Sequence, residues 1–157
     1  MLARMSYELR VERGLKNLGP FDQATSDAIL EIAYLTVAVD QELRPEEVSA
    51  CGKVWRALGA GSQDDRGVAQ KLDSYPKDLD RDAILQRLEV CAKRLGEDRK
   101  AKLTAYRIAT LMAMSDLDAA HSEFEFDLDL IAALGLEQAE ADEVLAEVNA
   151  ALMPPGT

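Results

Sequence analysis

The sequence contains an internal repeat, which restricts the chain to folds that one unit can build twice. When the chain is aligned with itself, segment 28–61 lies over segment 104–137 without a gap. The apolar positions of the two segments also agree, and we therefore predict a tandem duplication with repeats over about 28–73 and 104–149. Eight of the 34 aligned positions are identical: Ile32/Ile108, Ala33/Ala109, Leu35/Leu111, Asp40/Asp116, Glu47/Glu123, Ala57/Ala133, Leu58/Leu134 and Gly59/Gly135.

Each repeat begins with a segment that is apolar on almost every side, 26–39 in the first copy and 101–115 in the second. Such a pattern is typical of a central, buried helix. An acidic turn follows, and then a second helix that ends in Leu-Gly. Gly59 and Gly135 suit the left-handed conformation that closes many helices, so this second helix should end there in both copies.

The remaining segments also favour helices. A chain of 157 residues is the length of one ordinary domain. We predict an all-α fold, a compact bundle of about seven or eight helices, in a single domain over 1–153 with a disordered tail at 154–157. Shorter helices should close the repeats at about 64–73 and 138–150, and one further helix should precede each repeat, at about 7–18 and 80–94.

Residues 123–130 alternate strictly between acidic and apolar side chains, which is the period of a half-buried strand. We nevertheless predict a helix, because Asp and Glu are poor strand residues and the aligned segment 46–51 does not alternate. On a helix, Phe124 and Leu128 share one face and Phe126 lies on a neighbouring one. Phe126 is then either buried or presented to a partner.

The charge of the chain is concentrated in its last third. The protein has 18 basic and 29 acidic residues, a net charge of −11, and no Lys or Arg follows Arg107. Nucleic acid is therefore not expected as a partner, since phosphate binding needs a basic surface. A cation or the basic surface of a partner protein remains compatible, and so does solvent alone. Oligomeric state does not follow from the sequence.

Several simpler properties follow from single residues and short runs. The apolar runs are too short for a membrane span, and the first residues lack the apolar stretch of a secretory signal, so we expect a cytoplasmic protein. Cys51 and Cys91 have no CxxC spacing and should be buried free thiols, with a redox pair as the alternative. Trp55 should lie in the core.

An acidic turn recurs in both copies of the repeat. In each, an Asp ends the central helix, a second acid follows two residues later and a Glu follows seven residues later. Hard cations bind several carboxylate and carbonyl oxygens on a bent backbone, although this spacing is not that of an EF-hand. No cofactor is required, and Ca²⁺ or another divalent cation is the candidate ligand. The candidate metal ligands are Asp40, Glu42 and Glu47 in the first copy and Asp116, Asp118 and Glu123 in the second.

The same residues have a purely structural interpretation. If the second helices start at Pro45 and at the equivalent position of the second copy, proline occupies the first helical position, where it is favoured. Glu47 and Glu123 then occupy the third position, where a glutamate caps the backbone and interacts well with the helix dipole. Capping and cation binding both remain open.

The acidic third also carries an electrostatic cost. Like charges spaced by four residues on a helix repel each other. Residues 108–157 contain such acidic pairs and no Lys or Arg that could offset their repulsion. Asp127 further points towards the apolar side of its helix, where an unpaired carboxylate is costly. We therefore expect a divalent cation or a basic partner residue to stabilise this region.

These residues resemble a known family. An apolar helix that ends in Asp, an acidic turn, a Glu seven residues on and a closing Leu-Gly are similar to the TerB-like (tellurite resistance) domains. The matching stretches are 33–59 and 109–136. The chain departs from the family's Ala-Asp-Gly, because Gln41 and Leu117 stand where the family has Gly. The resemblance implies an all-helical fold, an acidic surface that binds divalent cations, and association with stress-response or defence complexes.

We therefore expect a non-enzymatic interaction module with an acidic surface. The alternative is a purely structural or oligomerising helical subunit that contacts other proteins. An enzyme is not expected: His121 is the only histidine, and although it lies between Asp118 and Glu123, the sequence has no glycine-rich phosphate loop.

Overall fold

The computed structural model describes residues 14–15, 21–38, 45–59, 65–75, 80–115 and 121–152, with backbone only at 38, 46–47, 65–66, 114–115, 121–126 and 152. Within these ranges the chain forms seven helices and no strand, which confirms the all-α prediction. The helices are α1 (Gln23–Ala38), α2 (Pro45–Ala57), α3 (Asp65–Asp73), α4 (Arg81–Leu95), α5 (Arg99–Ser115), α6 (His121–Leu134) and α7 (Gln138–Leu152).

These helices lie within a few residues of the predicted ones. The alternating segment 123–130 is part of α6, as predicted, so its period of two does not make a strand. The predicted helix at 7–18 lies mostly outside the described residues, although Gly14 has helical backbone. The predicted tail at 154–157 also lies outside them.

Aspartate side chains begin three of the helices. The carboxylate of Asp22 accepts a hydrogen bond from the backbone N–H of Thr25 at 2.7 Å, and Asp80 accepts one from Ala83 at 2.8 Å. Asp98 caps α5 in the same way. Each bond satisfies an N–H that has no partner inside its helix, which fixes where the chain enters the bundle.

Glycine ends the second helix of each repeat, as the sequence predicts. Gly59 after α2 has a φ of 77° and Gly135 after α6 has a φ of 66°. In both positions the backbone is in the left-handed region, which a side chain disfavours. In the turn after Gly135 the backbone N–H of Leu136 donates to the carbonyl of Ile131 at 3.1 Å, and α7 begins two residues later.

Two central helices, α1 and α5, form the middle of the bundle. They pack against each other, while α4 covers α1 and α7 covers α5. From Ala28 to Val37 every side chain of α1 is buried, as expected for a helix that is apolar all round. Trp55 on α2 is only 1% exposed, which confirms its predicted place in the core.

The helix order repeats along the chain. The interval in sequence between the starts of α1 and α5 equals the interval between the starts of α2 and α6. The two copies are not identical in burial, because Trp55 is fully buried and the aligned Ile131 is only partly buried against the core. The tandem duplication stays a prediction, which a superposition of the two halves would test.

Candidate functional site

The predicted cation ligands fall mainly in the two segments between the repeat helices. Asp40 and Glu42 come between α1 and α2 in the sequence, and Asp116 and Asp118 come between α5 and α6. All four lie outside the described residues. The remaining two, Glu47 and Glu123, lie in α2 and α6, where only their backbone is described.

The starts of α2 and α6 bear on the capping interpretation. α2 begins at Pro45 and α6 begins at His121, so proline occupies the first helical position, as predicted. Glu47 and Glu123 are therefore the third residues of their helices, the position from which a glutamate reaches back to the N-cap. Carboxylates in a first turn beside an acidic segment also suit a cation, and both interpretations remain.

Asp127 lies one helical turn after Glu123, and its side chain is described. It is half-buried, and burial raises the pKa of its carboxyl group, while hydrogen bonding to the Tyr106 hydroxyl counteracts part of this shift. Burial and the nearby Asp127 carboxylate in turn raise the pKa of Tyr106 to about 12. The Tyr106 hydroxyl on α5 is thus neutral, and it contacts the Asp127 carboxylate, for which the sequence predicts a cation or a basic partner.

Arginines from the middle of the chain pair with three acids of the last third. Arg107 on α5 forms an ion pair with Glu147 on α7. Arg99 donates from Nε to Glu140 Oε2 at 2.9 Å, and Arg81 Nη2 lies 3.6 Å from Asp129 Oδ1. The like-charge cost predicted for residues 108–157 is therefore partly offset from outside that segment, by side chains that tertiary packing brings to it.

A second cluster of charged residues, which the sequence analysis did not identify, joins α1 to α4. Glu31 lies in the apolar face of α1 and is 1% exposed. Arg87 donates to both of its carboxylate oxygens, from Nε at 2.5 Å and from Nη2 at 2.7 Å. Arg94 lies 3.8 Å from the same carboxylate. The sequence feature that could have revealed this cluster is the single glutamate in an otherwise apolar helix, because a buried carboxylate needs a cationic partner.

The Glu31 carboxylate contributes to the raised pKa values of two neighbouring side chains. Burial, and then the charge of Glu31, raise the pKa of the Cys91 thiol to about 12. Burial and the same charge raise the pKa of Tyr75, whose ring lies 5.2 Å from that of Tyr34. Cys91 and Cys51 are both buried free thiols, as predicted. A thiol in this environment is protonated and a poor nucleophile.

A further ion pair continues this cluster towards α2. Lys71 on α3 bonds to Asp27 on α1 at 2.8 Å, and its ammonium group lies 5.1 Å from the centre of the Trp55 ring. The cluster therefore connects four helices. Since its cations and carboxylates already face one another, it stabilises the packing of the first half and offers no unpaired charge to a ligand.

Among the residues that the structure describes, no three His, Cys, Asp or Glu side chains are close enough together to hold a metal ion. None of the described helices has the length and apolar character needed to cross a bilayer.

Comparisons with known proteins give no relative from which to transfer a function. No family model, no curated protein and no solved structure matches the chain. What the fold and the site define is thus an all-helical protein with an ion-paired first half and an acidic last third.

Proposed function

We propose that this protein is a non-enzymatic, TerB-like interaction module whose acidic C-terminal third binds a basic surface of a partner protein. The observation that carries the proposal is a set of acidic residues in the last third that form no ion pair with a described basic side chain. Glu137, Asp142 and Glu143 are exposed around the start and middle of α7, and no described basic side chain pairs with them. Such a surface attracts basic partners at long range.

The same proposal includes a divalent cation at the acidic turns. Asp116, Asp118 and Glu123 are its ligands in the second copy, and Asp40, Glu42 and Glu47 are the equivalent residues in the first. Two features support it: the first-turn position of both glutamates, and the half-buried Asp127 one turn further on, whose charged form burial disfavours. A cation nearby would favour that charged form.

The TerB-like assignment and the tandem duplication belong to the proposal as well. The all-helical fold is compatible with both, and the equal spacing between the starts of equivalent helices is what a duplication predicts. The departures at Gln41 and Leu117 leave the turns without the family's glycine. Cation binding is therefore the part of the proposal that most needs a direct test.

Thermal melting in the presence of cations provides that test. A ligand that binds only the folded state raises the melting temperature, so about 5 mM Ca²⁺ or Mg²⁺ should stabilise the protein more than NaCl of equal ionic strength. Asp116→Asn and Glu123→Gln should remove the difference, whereas Glu89→Gln on the exposed face of α4 should keep it. Equal melting temperatures in the two salts would rule out the cation.

A structural or oligomerising subunit is the second candidate, and one observation favours it. Leu128 on α6 is 50% exposed and Leu145 on α7 is 43% exposed, and burying them against another chain would remove apolar surface from water. Sedimentation of the wild type and of Leu128→Ser and Leu145→Ser tests this function. A concentration-dependent oligomer that the serine variants disrupt would support it.

A further inference from the structure

A groove runs between α5 and α7, and one acid in its lining has no ion-pair partner among the described residues. Its volume is about 450 Å³, within the range of pockets that bind ligands. Three glutamates of α7 lie along it, Glu140, Glu143 and Glu147. Arg99 pairs with the first and Arg107 with the last. Glu143 has no ion-pair or hydrogen-bond partner in the described ranges and is therefore the charge available to a ligand.

A buried threonine lines the same groove. Thr104 on α5 is 7% exposed and belongs to the groove wall, yet its hydroxyl has no hydrogen bond to any described residue. The hydroxyl oxygen is not among the fully buried side-chain atoms that lack a partner, so it is open to the groove and can accept a hydrogen bond from a ligand. It is a polar contact point separate from the acidic charge.

Apolar side chains complete the lining. Leu103 on α5 and Val144 on α7 face the groove beside Thr104 and Glu143. Neither basic residue of the lining forms an ion pair with Glu143: Arg107 is paired with Glu147, and the ammonium group of Lys100 lies 5.8 Å from the centre of the Phe21 ring. The free groups are thus an aliphatic surface, a hydroxyl oxygen and a carboxylate.

We propose that this groove binds an arginine side chain of the basic partner protein. The aliphatic stem of arginine packs on Leu103 and Val144, while its guanidinium group donates to the Glu143 carboxylate and to the Thr104 hydroxyl. Arginine fits better than lysine, because its planar head presents several donors in fixed directions. This inference rests on the proposed function and locates the docking site of the partner.

Fluorescence anisotropy with a labelled peptide tests the proposal. The probe is a short fluorescein-labelled peptide of alternating arginine and alanine, and the same peptide with lysine is the comparison. Glu143→Gln should weaken binding of the arginine peptide about tenfold, the loss expected for one charged hydrogen bond. Glu89→Gln changes the net charge equally but lies on α4, away from the groove, and should have little effect.

Two variants at position 104 examine the groove without any change of charge. Thr104→Val keeps the shape and removes the hydroxyl, so it should weaken the arginine peptide more than the lysine peptide. Thr104→Ser keeps the hydroxyl and should bind like the wild type. Circular dichroism of each variant shows whether it is folded, which separates loss of the site from loss of the fold.

The possible results distinguish the docking site from the proposed function. If the peptide binds but Glu143→Gln and Glu89→Gln weaken it equally, attraction to the acidic surface is general and the groove proposal is wrong, while the proposed function stands. If neither peptide binds the wild type at low salt, the basic partner of the proposed function fails together with the groove. Selective loss with Glu143→Gln and Thr104→Val supports both.

Discussion

Arg87 on α4 holds Glu31 on α1 through two hydrogen bonds, at 2.5 Å and 2.7 Å, although the two residues are far apart in sequence. The carboxylate is almost fully buried, whereas the guanidinium group remains partly exposed. Two parallel bonds between a guanidinium and a carboxylate are strong and directional. The pair therefore fixes how α4 lies on the central helix α1, around which the first half of the bundle packs.

Removing the arginine should destabilise the protein strongly. Arg87→Ala leaves the buried Glu31 carboxylate with only the more distant Arg94, and we expect a loss of about 3–5 kcal/mol in the free energy of unfolding, measured by urea denaturation. Lys93→Ala, an exposed position on the same helix, is the matched control and should cost well under about 1 kcal/mol. Equal effects of the two changes would mean that the pair does not stabilise the fold.

Truncation of the single tryptophan should have a cost of similar size. Trp55→Ala removes a fully buried aromatic ring and the surface on which the Lys71 ammonium group lies. We expect a loss of about 3–5 kcal/mol in unfolding free energy. Because Ile131 is smaller and only partly buried, Ile131→Ala should cost less. A loss below about 1 kcal/mol for Trp55→Ala would contradict its place in the core.

Both cysteines should be unreactive in the folded protein. Burial and the Glu31 carboxylate raise the pKa of Cys91 to about 12, so the thiolate that reacts is scarce at pH 8. Titration with a chromogenic disulfide reagent should label neither Cys51 nor Cys91 promptly under native conditions and both in concentrated urea. Prompt labelling of the folded protein would revive the redox pair that the sequence leaves as an alternative.

The half-buried Asp127 gives a distinctive pH dependence. Its folded pKa is raised above the ordinary value of 3.8, so its ionisation destabilises the fold at neutral pH. This cost disappears as the pH falls through the folded pKa towards the unfolded one. Asp127→Asn should therefore be more stable than the wild type at pH 7, and the difference between the two should shrink towards pH 4.

Urea denaturation at both pH values measures this difference, and Asp142→Asn on the exposed face of α7 serves as the control. A variant Asp127→Asn that is less stable at pH 7 would show that the charged carboxylate gains more than it loses. In that case a bound cation is the first explanation to test, by measuring how the stability difference between the wild type and Asp127→Asn changes with added Ca²⁺.

Much of the fold follows from patterns that are local in the sequence. The all-round apolar character of 26–39 predicts the buried central helix α1, and the Leu-Gly pairs at Gly59 and Gly135 predict where α2 and α6 end. The alternation over 123–130 does not make a strand, because acidic side chains and the absence of a partner strand among the described residues favour a helix. Helix identity depends on propensity, periodicity and end residues, all of which lie within a few positions of each other.

The candidate site, too, is predicted by the sequence only in part. The sequence alone identifies the acidic turns and places Glu47 and Glu123 at the third position of their helices, which the starts of α2 and α6 confirm. It also shows that the last third has no basic residue of its own. Whether those turns bind a cation stays a prediction, since it depends on where several carboxylate oxygens meet in space.

Only the tertiary structure decides which charges are neutralised. Arg107 is the last basic residue of the sequence. Packing of α5 against α7 nevertheless brings it to Glu147 in the last helix. Glu143, one turn earlier on the same helix, faces the same groove and has no partner among the described residues. The physical reason is that an ion pair needs its two charged groups within a few ångströms, and helix packing sets that distance with no trace in local sequence.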